Sequence, residues 1–227
     1  FADGDKVFAH TKYDLSTRRI GFEVFRFEDE FAVEHWDNIQ PRKGPNASGH
    51  SMVDGPVDVV DLENTEANRA LVTSFVNTVL IDRHPASLDT IEEFVDEHFT
   101  EHNSRLSDGF AVLREMLAVT LANDDDKYVS IQSHTPNSGR GNFVLCVNEG
   151  EFEGVHSSFY DLFCRKQEDC GTLGYTRARL PQRVNGITTM ASFNRPMVFK
   201  FVLLKQNIQL KIYEDLELIS SESVQWR

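Results

Sequence analysis

Cysteine is scarce and unpatterned. The 227 residues include three, Cys146, Cys164 and Cys170. They form neither a CxxC pair nor an even framework. This excludes a disulfide scaffold and a thiolate zinc cluster, and it points to a reducing, cytoplasmic setting. No apolar run reaches the length of about 18 residues that a spanning helix needs, so no membrane partner is expected. Basic residues are few, 23 Lys+Arg against 36 Asp+Glu, for a formal net charge of −13. A body this acidic repels phosphate backbones, which argues against nucleic acid as a partner. The opening Phe1-Ala2-Asp3-Gly4-Asp5 has no initiator Met and no basic n-region, and is expected to be the interior of a longer sequence rather than a signal peptide. The run Asp124-Asp125-Asp126 lacks the glycine and distal glutamate of a calcium loop. The sequence therefore offers neither a zinc nor a calcium signature.

What is present is ordinary globular material, 40% hydrophobic and 26% charged. Strands are predicted over 5–15, 20–27 and 31–39, joined by short polar links, as an antiparallel meander. Residues 41–61 are rich in Pro, Gly, Ser and Asp and have no period, so they read as a linker or long loop. Helical spacing follows in three segments. Asn64 is the expected N-cap of the first, with Ala67, Leu71, Phe75 and Val79 on one face. Ser87 caps the second, with Leu88, Ile91, Phe94, Val95 and Phe99. Asp108 caps the third, with Phe110, Leu113, Met116 and Leu117. An acidic turn at 123–126 and strands over 128–132, 143–148 and 157–164 complete the series.

The third strand carries the chemistry, 32-AVEHWDNIQP-41. Alternate strand residues share a face. Phe31, Val33, His35, Asp37 and Ile39 form one set; Ala32, Glu34, Trp36, Asn38 and Gln40 form the other. His35 and Asp37 therefore stand about 7 Å apart on a mostly apolar surface. Desolvation raises the aspartate's pKa and a protonated histidine lowers it. Such a pair can abstract and return a proton beside a carbonyl. The residues alone leave a second reading open, a hydrogen-bonded pair at a sheet end with Trp36 in the core. His102 and Asn103 precede a helix start; either His102 polarises a carbonyl, or it is exposed while Asn103 caps the loop. His50, His84 and His134 lie in loop-like stretches and receive no role, and His98 is expected to be partly exposed.

The chain also repeats itself. Gly4-Asp5-Lys6-Val7-Phe8 aligns with Gly141-Asn142-Phe143-Val144-Leu145, and Phe22-Glu23-Val24-Phe25 aligns with Tyr160-Asp161-Leu162-Phe163. Residues 1–41 thus read as the last strands of a truncated first copy, 42–61 as a linker and 62–164 as a second copy. The second copy ends without an EHWD strand. From 165 to 227 the balance becomes 10 basic against 6 acidic residues. One codon choice for 168–176, read one nucleotide later, gives AEHWDT, so a shifted frame is one explanation of this divergent tail. The apolar stretch 197-MVFKFVLLKQNIQLKIY is expected to form a strand or a helix.

Three helices before a sheet ending in EHWD, the segment 98-HFTEHNSRLSDG and the paired-strand segment 149-EGEFEGVHSSFYDLF resemble the SnoaL-like, polyketide cyclase-type branch of the nuclear transport factor 2-like superfamily. The resemblance covers 4–41 and 62–164. It implies an α+β fold in which helices pack on a curved antiparallel sheet to form a cone. It implies cofactor-free acid/base chemistry on a small apolar carbonyl compound: aldol cyclisation, isomerisation or dehydration. Asp37 would be the acid/base, His35 its partner and His102 a polariser. Trp36, Asn103, Phe31 and Tyr160 would touch the ligand. The alternatives are a ligand-binding or dimerisation module of the same fold, with homodimers through the sheet faces, or an inactive mis-framed product.

Overall fold

The computed structural model describes residues 1–14, 18–95, 97–122, 127–131, 137–165, 173–180, 198–204 and 207–213. The acidic turn expected at 123–126, His134, Cys170 and the segment 166–172 lie outside these residues. The chain is α+β, with antiparallel sheets and few helices. It divides into two compact units, Phe1–Pro41 with Asn185–Arg227, and Arg42–Val184.

The first unit holds a four-stranded meander, β1 (Ala2–Asp3), β2 (Lys6–Asp14), β3 (Arg18–Glu28) and β4 (Phe31–Pro41), hydrogen-bonded in sequence order. Alternation of apolar residues marks its strands, and at the centre of β3 both faces are buried, over residues 20–25. One face of β3 carries Ile20, Phe22 and Val24, all buried, and Phe8 of β2 stacks on Phe22 at 5.8 Å. Asp29 and Glu30 turn β3 into β4 with φ of 46° and 70°. Two left-handed residues in a two-residue loop match the twist of the strands they join. The register then shifts between Arg26 and Phe27, because Phe27 pairs with Ala32 whereas Arg26 pairs with Glu34. Val33 is the extra residue of this β-bulge.

The second unit begins with 42–61, which has no helix or strand but is hydrogen-bonded to its own unit. Asn46 Nδ2 donates to Glu101 O at 2.7 Å, and Val60 exchanges two bonds of 2.9 Å with Asn142. Gly141 permits that second attachment: a Cβ there would lie 1.9 Å from Val60 O. Helix α1 (Thr65–Phe75) follows and continues as a π-helical turn, Val76–Ile81. Its Phe75 meets Phe163 and Phe94 edge-on at 5.8 and 5.7 Å.

The expected second helix is corrected to two short 3-10 turns, Pro85–Asp89 and Ile91–Glu93. Ser87 and Thr90 spend their hydroxyls on the carbonyls of His84 and Ser87, at 2.6 and 2.9 Å. Such local bonds compete with helix propagation. Its apolar positions Ile91, Phe94, Val95 and Phe99 are nevertheless buried. Helix α2 is Phe110–Leu121; its N-cap position is Gly109, φ 103°, and no side chain caps it. Asp108, the expected cap, is turned instead to Glu101 N, 3.0 Å from Oδ1.

The sheet of this unit has the order β5 (Lys127–Ile131), β7 (Phe143–Phe152), β8 (Val155–Arg165), β9 (Leu173–Leu180), with β6 (Ser138–Arg140) also on β7. β10 (Val198–Leu204) and β11 (Asn207–Tyr213) pair with each other in a separate antiparallel sheet, so these two parts of the apolar stretch are strand rather than helix. The two units open their meanders alike. Gly4 and Gly141 have φ of 60° and 59°, and Asp3 pairs with Lys6 as Arg140 pairs with Phe143.

Candidate functional site

In the first unit the bulge decides which residues meet. Past Val33, Phe25 faces His35 and Glu23 faces Asp37. Directly paired residues share a sheet face, so His35 and Asp37 stand with Glu23 rather than with Val24. Glu23 sits at the centre of β3 and is only 2% exposed. Its Oε1 accepts the Tyr13 hydroxyl at 2.5 Å, and its Oε2 lies 2.7 Å from His35 Nε2. Thr11 Oγ1 lies 3.4 Å from Oε1 and also donates to Gly21 O. A ligand atom from each of Glu23, His35 and Asp37 lies within 4.8 Å of the others.

Gly21 makes room for this carboxyl. A Cβ on it would stand 2.6 Å from Glu23 Oε1, 2.8 Å from Thr11 Oγ1 and 3.0 Å from Tyr13 Cε2. Glycine inside a strand marks a close approach of this kind. The His35 ring is held from its flat side by Phe25, 4.3 Å away and 3° from parallel. Bonded at Nε2 and stacked on Phe25, the ring remains about a third open to solvent.

The electrostatics follow from this crowding. Burial, and then the Glu23 charge, push the Asp37 carboxyl above its ordinary value, with His35 opposing. Burial first, then the charge and hydrogen bond of Glu23, push the Tyr13 phenol far up, so it remains a proton donor. A carboxyl with reluctant ionisation beside a carboxyl-oriented imidazole can exchange protons with a substrate.

The other expected site residues are dispersed. Trp36 pairs with Val24 and stands on the opposite sheet face from His35 and Asp37, so it does not share their surface. Phe31 is exposed beside the β3–β4 turn, paired with Glu28. Tyr160 is buried on β8 opposite Val147 in the second unit. Asn103 accepts from Arg105 N at 3.0 Å and donates its own N–H to Glu101 Oε1 at 2.8 Å. His102 is also in the second unit and is buried, not exposed. Its Nδ1 lies 2.8 Å from Asp54 Oδ1 and 3.1 Å from Ser51 O.

Sequence reasoning missed Glu23, Tyr13 and Thr11, and it gave His50 no role. Gly21-Phe22-Glu23 inside a strand was the available signal for the first group. No periodicity marks His50 and Asp54. Asp161, the residue the sequence alignment sets against Glu23, is fully buried on β8 and paired with Cys146. Burial first, then Asp161, raise the Cys146 thiol well above its usual value, which leaves it unreactive. On its other side Asp161 is in register with Arg177, where Glu23 has Asp37.

Scanned against protein-family models the chain matches none, and a search of curated proteins returns no match. Among the described residues no helix is long and apolar enough to cross a membrane.

Proposed function

We propose that this is a SnoaL-like chain whose first unit performs acid/base chemistry on a small, partly apolar carbonyl compound, by aldol cyclisation, isomerisation or dehydration. The observation that carries the reading is the Glu23–His35 contact of 2.7 Å with Asp37 on the same sheet face. Asp37 takes the proton from the carbon beside the carbonyl. That C–H pair moves into the enolate, and His35 delivers a proton to the developing oxygen. Glu23 and Phe25 hold the imidazole in place, so little reorganisation is needed at the moment of transfer. The chemistry asks for no organic cofactor.

In this reading the two units descend from tandem copies, and the helices of the second close its curved sheet into a cone. The matched φ of Gly4 and Gly141 and the matched first-pair register support the tandem origin. For the second unit a ligand-binding or dimerisation role fits better than catalysis, because the register position opposite Asp161 holds Arg177 instead of an aspartate.

Proton abstraction is testable without the natural substrate. The full chain is incubated in D2O with a panel of small cyclic ketones, and deuterium entry beside the carbonyl is followed by proton NMR. Wild type is expected to exchange faster than buffer. Asp37→Asn and His35→Gln are expected to lose at least about 100-fold of that rate with unchanged circular dichroism. Exchange at the buffer rate throughout, or an unaffected Asp37→Asn variant, would refute the reading.

A further inference from the structure

We propose that His50, Asp54 and His102 form a binding site for a divalent transition-metal ion in the second unit, with Asp108 as the outer partner of His50. A ligand atom from each of the three lies within 4.8 Å of the other two. Asp54 stands between the imidazoles, with Oδ1 2.8 Å from His102 Nδ1 and Oδ2 3.8 Å from His50 Nδ1. Ions such as Zn2+ bind imidazole nitrogen and carboxylate oxygen at about 2.0–2.2 Å, which sets neighbouring ligand atoms about 3 Å apart. The three donors therefore need little movement to close on one ion.

The surroundings are those of a supported ligand set. His50 uses Nδ1 toward the cluster, and its Nε2 lies 3.1 Å from Asp108 Oδ2. A carboxylate behind a metal-binding imidazole fixes its tautomer and ring orientation and strengthens it as a ligand. Asp108 is itself held by the Glu101 and Ser48 sides of the loop, through Glu101 N to its Oδ1 at 3.0 Å and its own N to Ser48 Oγ at 2.9 Å. Ser51 N donates to Asp54 Oδ2 at 2.8 Å, fixing that carboxylate. The His102 ring lies against Gly55, where a Cβ would stand 3.4 Å from Nε2.

His102 is buried, whereas His50 and Asp54 are each more than a third exposed, so solvent reaches one side of the cluster. Two imidazoles and one carboxylate leave coordination positions for water. On binding, the proton that His102 Nδ1 directs at Asp54 Oδ1 and Ser51 O leaves that nitrogen, and both of those hydrogen bonds give way to bonds from Nδ1 and Asp54 to the ion. The ion would clamp the irregular segment around 50–54 to the loop at 101–108. This proposal stands independently of the acid/base reading, which uses residues of the other unit.

Titration of the full chain with Co2+, read by visible absorption, and equilibrium dialysis with Zn2+ test it. The expected result is a saturable one-to-one complex. His50→Ala and Asp54→Asn should each weaken it at least about tenfold, and Asp108→Asn should weaken it by a factor at the low end of the range for outer partners, about 10–100. Glu23, His35 and Asp37 also bring three donors together, so His35→Gln is the control and should bind as wild type does. The His50 side chain is 37% exposed, so its replacement is expected to leave the core, and with it the circular dichroism, unchanged. No saturable complex, binding that survives both His50→Ala and Asp54→Asn, or binding lost in His35→Gln, would overturn the proposal.

Discussion

Asp37 shows how one residue's surroundings fix its behaviour. Burial and the nearby Glu23 raise its pKa in the folded chain. Between the ordinary carboxylate value and that raised value, the unfolded chain has released this proton and the native chain still holds it. Stability then falls as pH rises through the window, because the native state binds more protons. Asp37→Asn removes the penalty. The variant should melt higher than wild type above the window, and the difference should vanish below it, which thermal scans from acid to neutral pH will read. A lower melting point for the variant at neutral pH would instead make Asp37 a net favourable partner of His35. His35 and Asp37 could be placed on one face from the two-residue period of β4 alone. Glu23 could not, because its membership of that face depends on which residue of β4 it pairs with, and nothing local to 20–27 states that.

At the scale of elements, the hairpin turns offer an internal comparison. Asp29-Glu30 and Glu153-Gly154 both adopt left-handed backbones, with φ of 46° and 70°, and of 51° and 70°. Only the second uses glycine at the φ 70° position, where a side chain costs about 1 kcal/mol or more. Glu30→Gly should therefore stabilise the first hairpin by about 1 kcal/mol, and Gly154→Glu should destabilise the second by a similar amount. Urea midpoints of the two variants check both signs; equal and unchanged midpoints would mean that the turns are relaxed by their neighbours. Strands β2, β3, β4, β5, β7 and β8 were legible from alternation, and α1 and α2 from helical spacing, whereas β1, β6 and β9 were not foreseen. The segment 85–93 was not. Its apolar stripe is real and buried, but side-chain hydroxyls of Ser87 and Thr90 compete for the carbonyls a helix would use.

The whole molecule carries a net charge of −13. Self-repulsion of that size opposes compaction, and the screening length falls from about 30 Å at 0.01 M salt to about 10 Å at 0.1 M. Unfolding midpoints should rise with sodium chloride over that range; a fall would show that screened ion pairs, such as Arg26 with Glu34 and Glu28, outweigh the repulsion. Composition, charge, the meander around EHWD and the similar starts at Gly4 and Gly141 are local or additive properties, and the sequence by itself determined them. The tertiary structure decided the rest. The Val33 bulge shifts the β4 register by one residue, which turns His35 and Asp37 to the Glu23 face. Long-range bonds from Asn46 and Asn142 fix the aperiodic segment 42–61 and bring His50 and Asp54 to His102. Pairing register and loop placement are set by partners distant in sequence, and no periodicity along the chain encodes them.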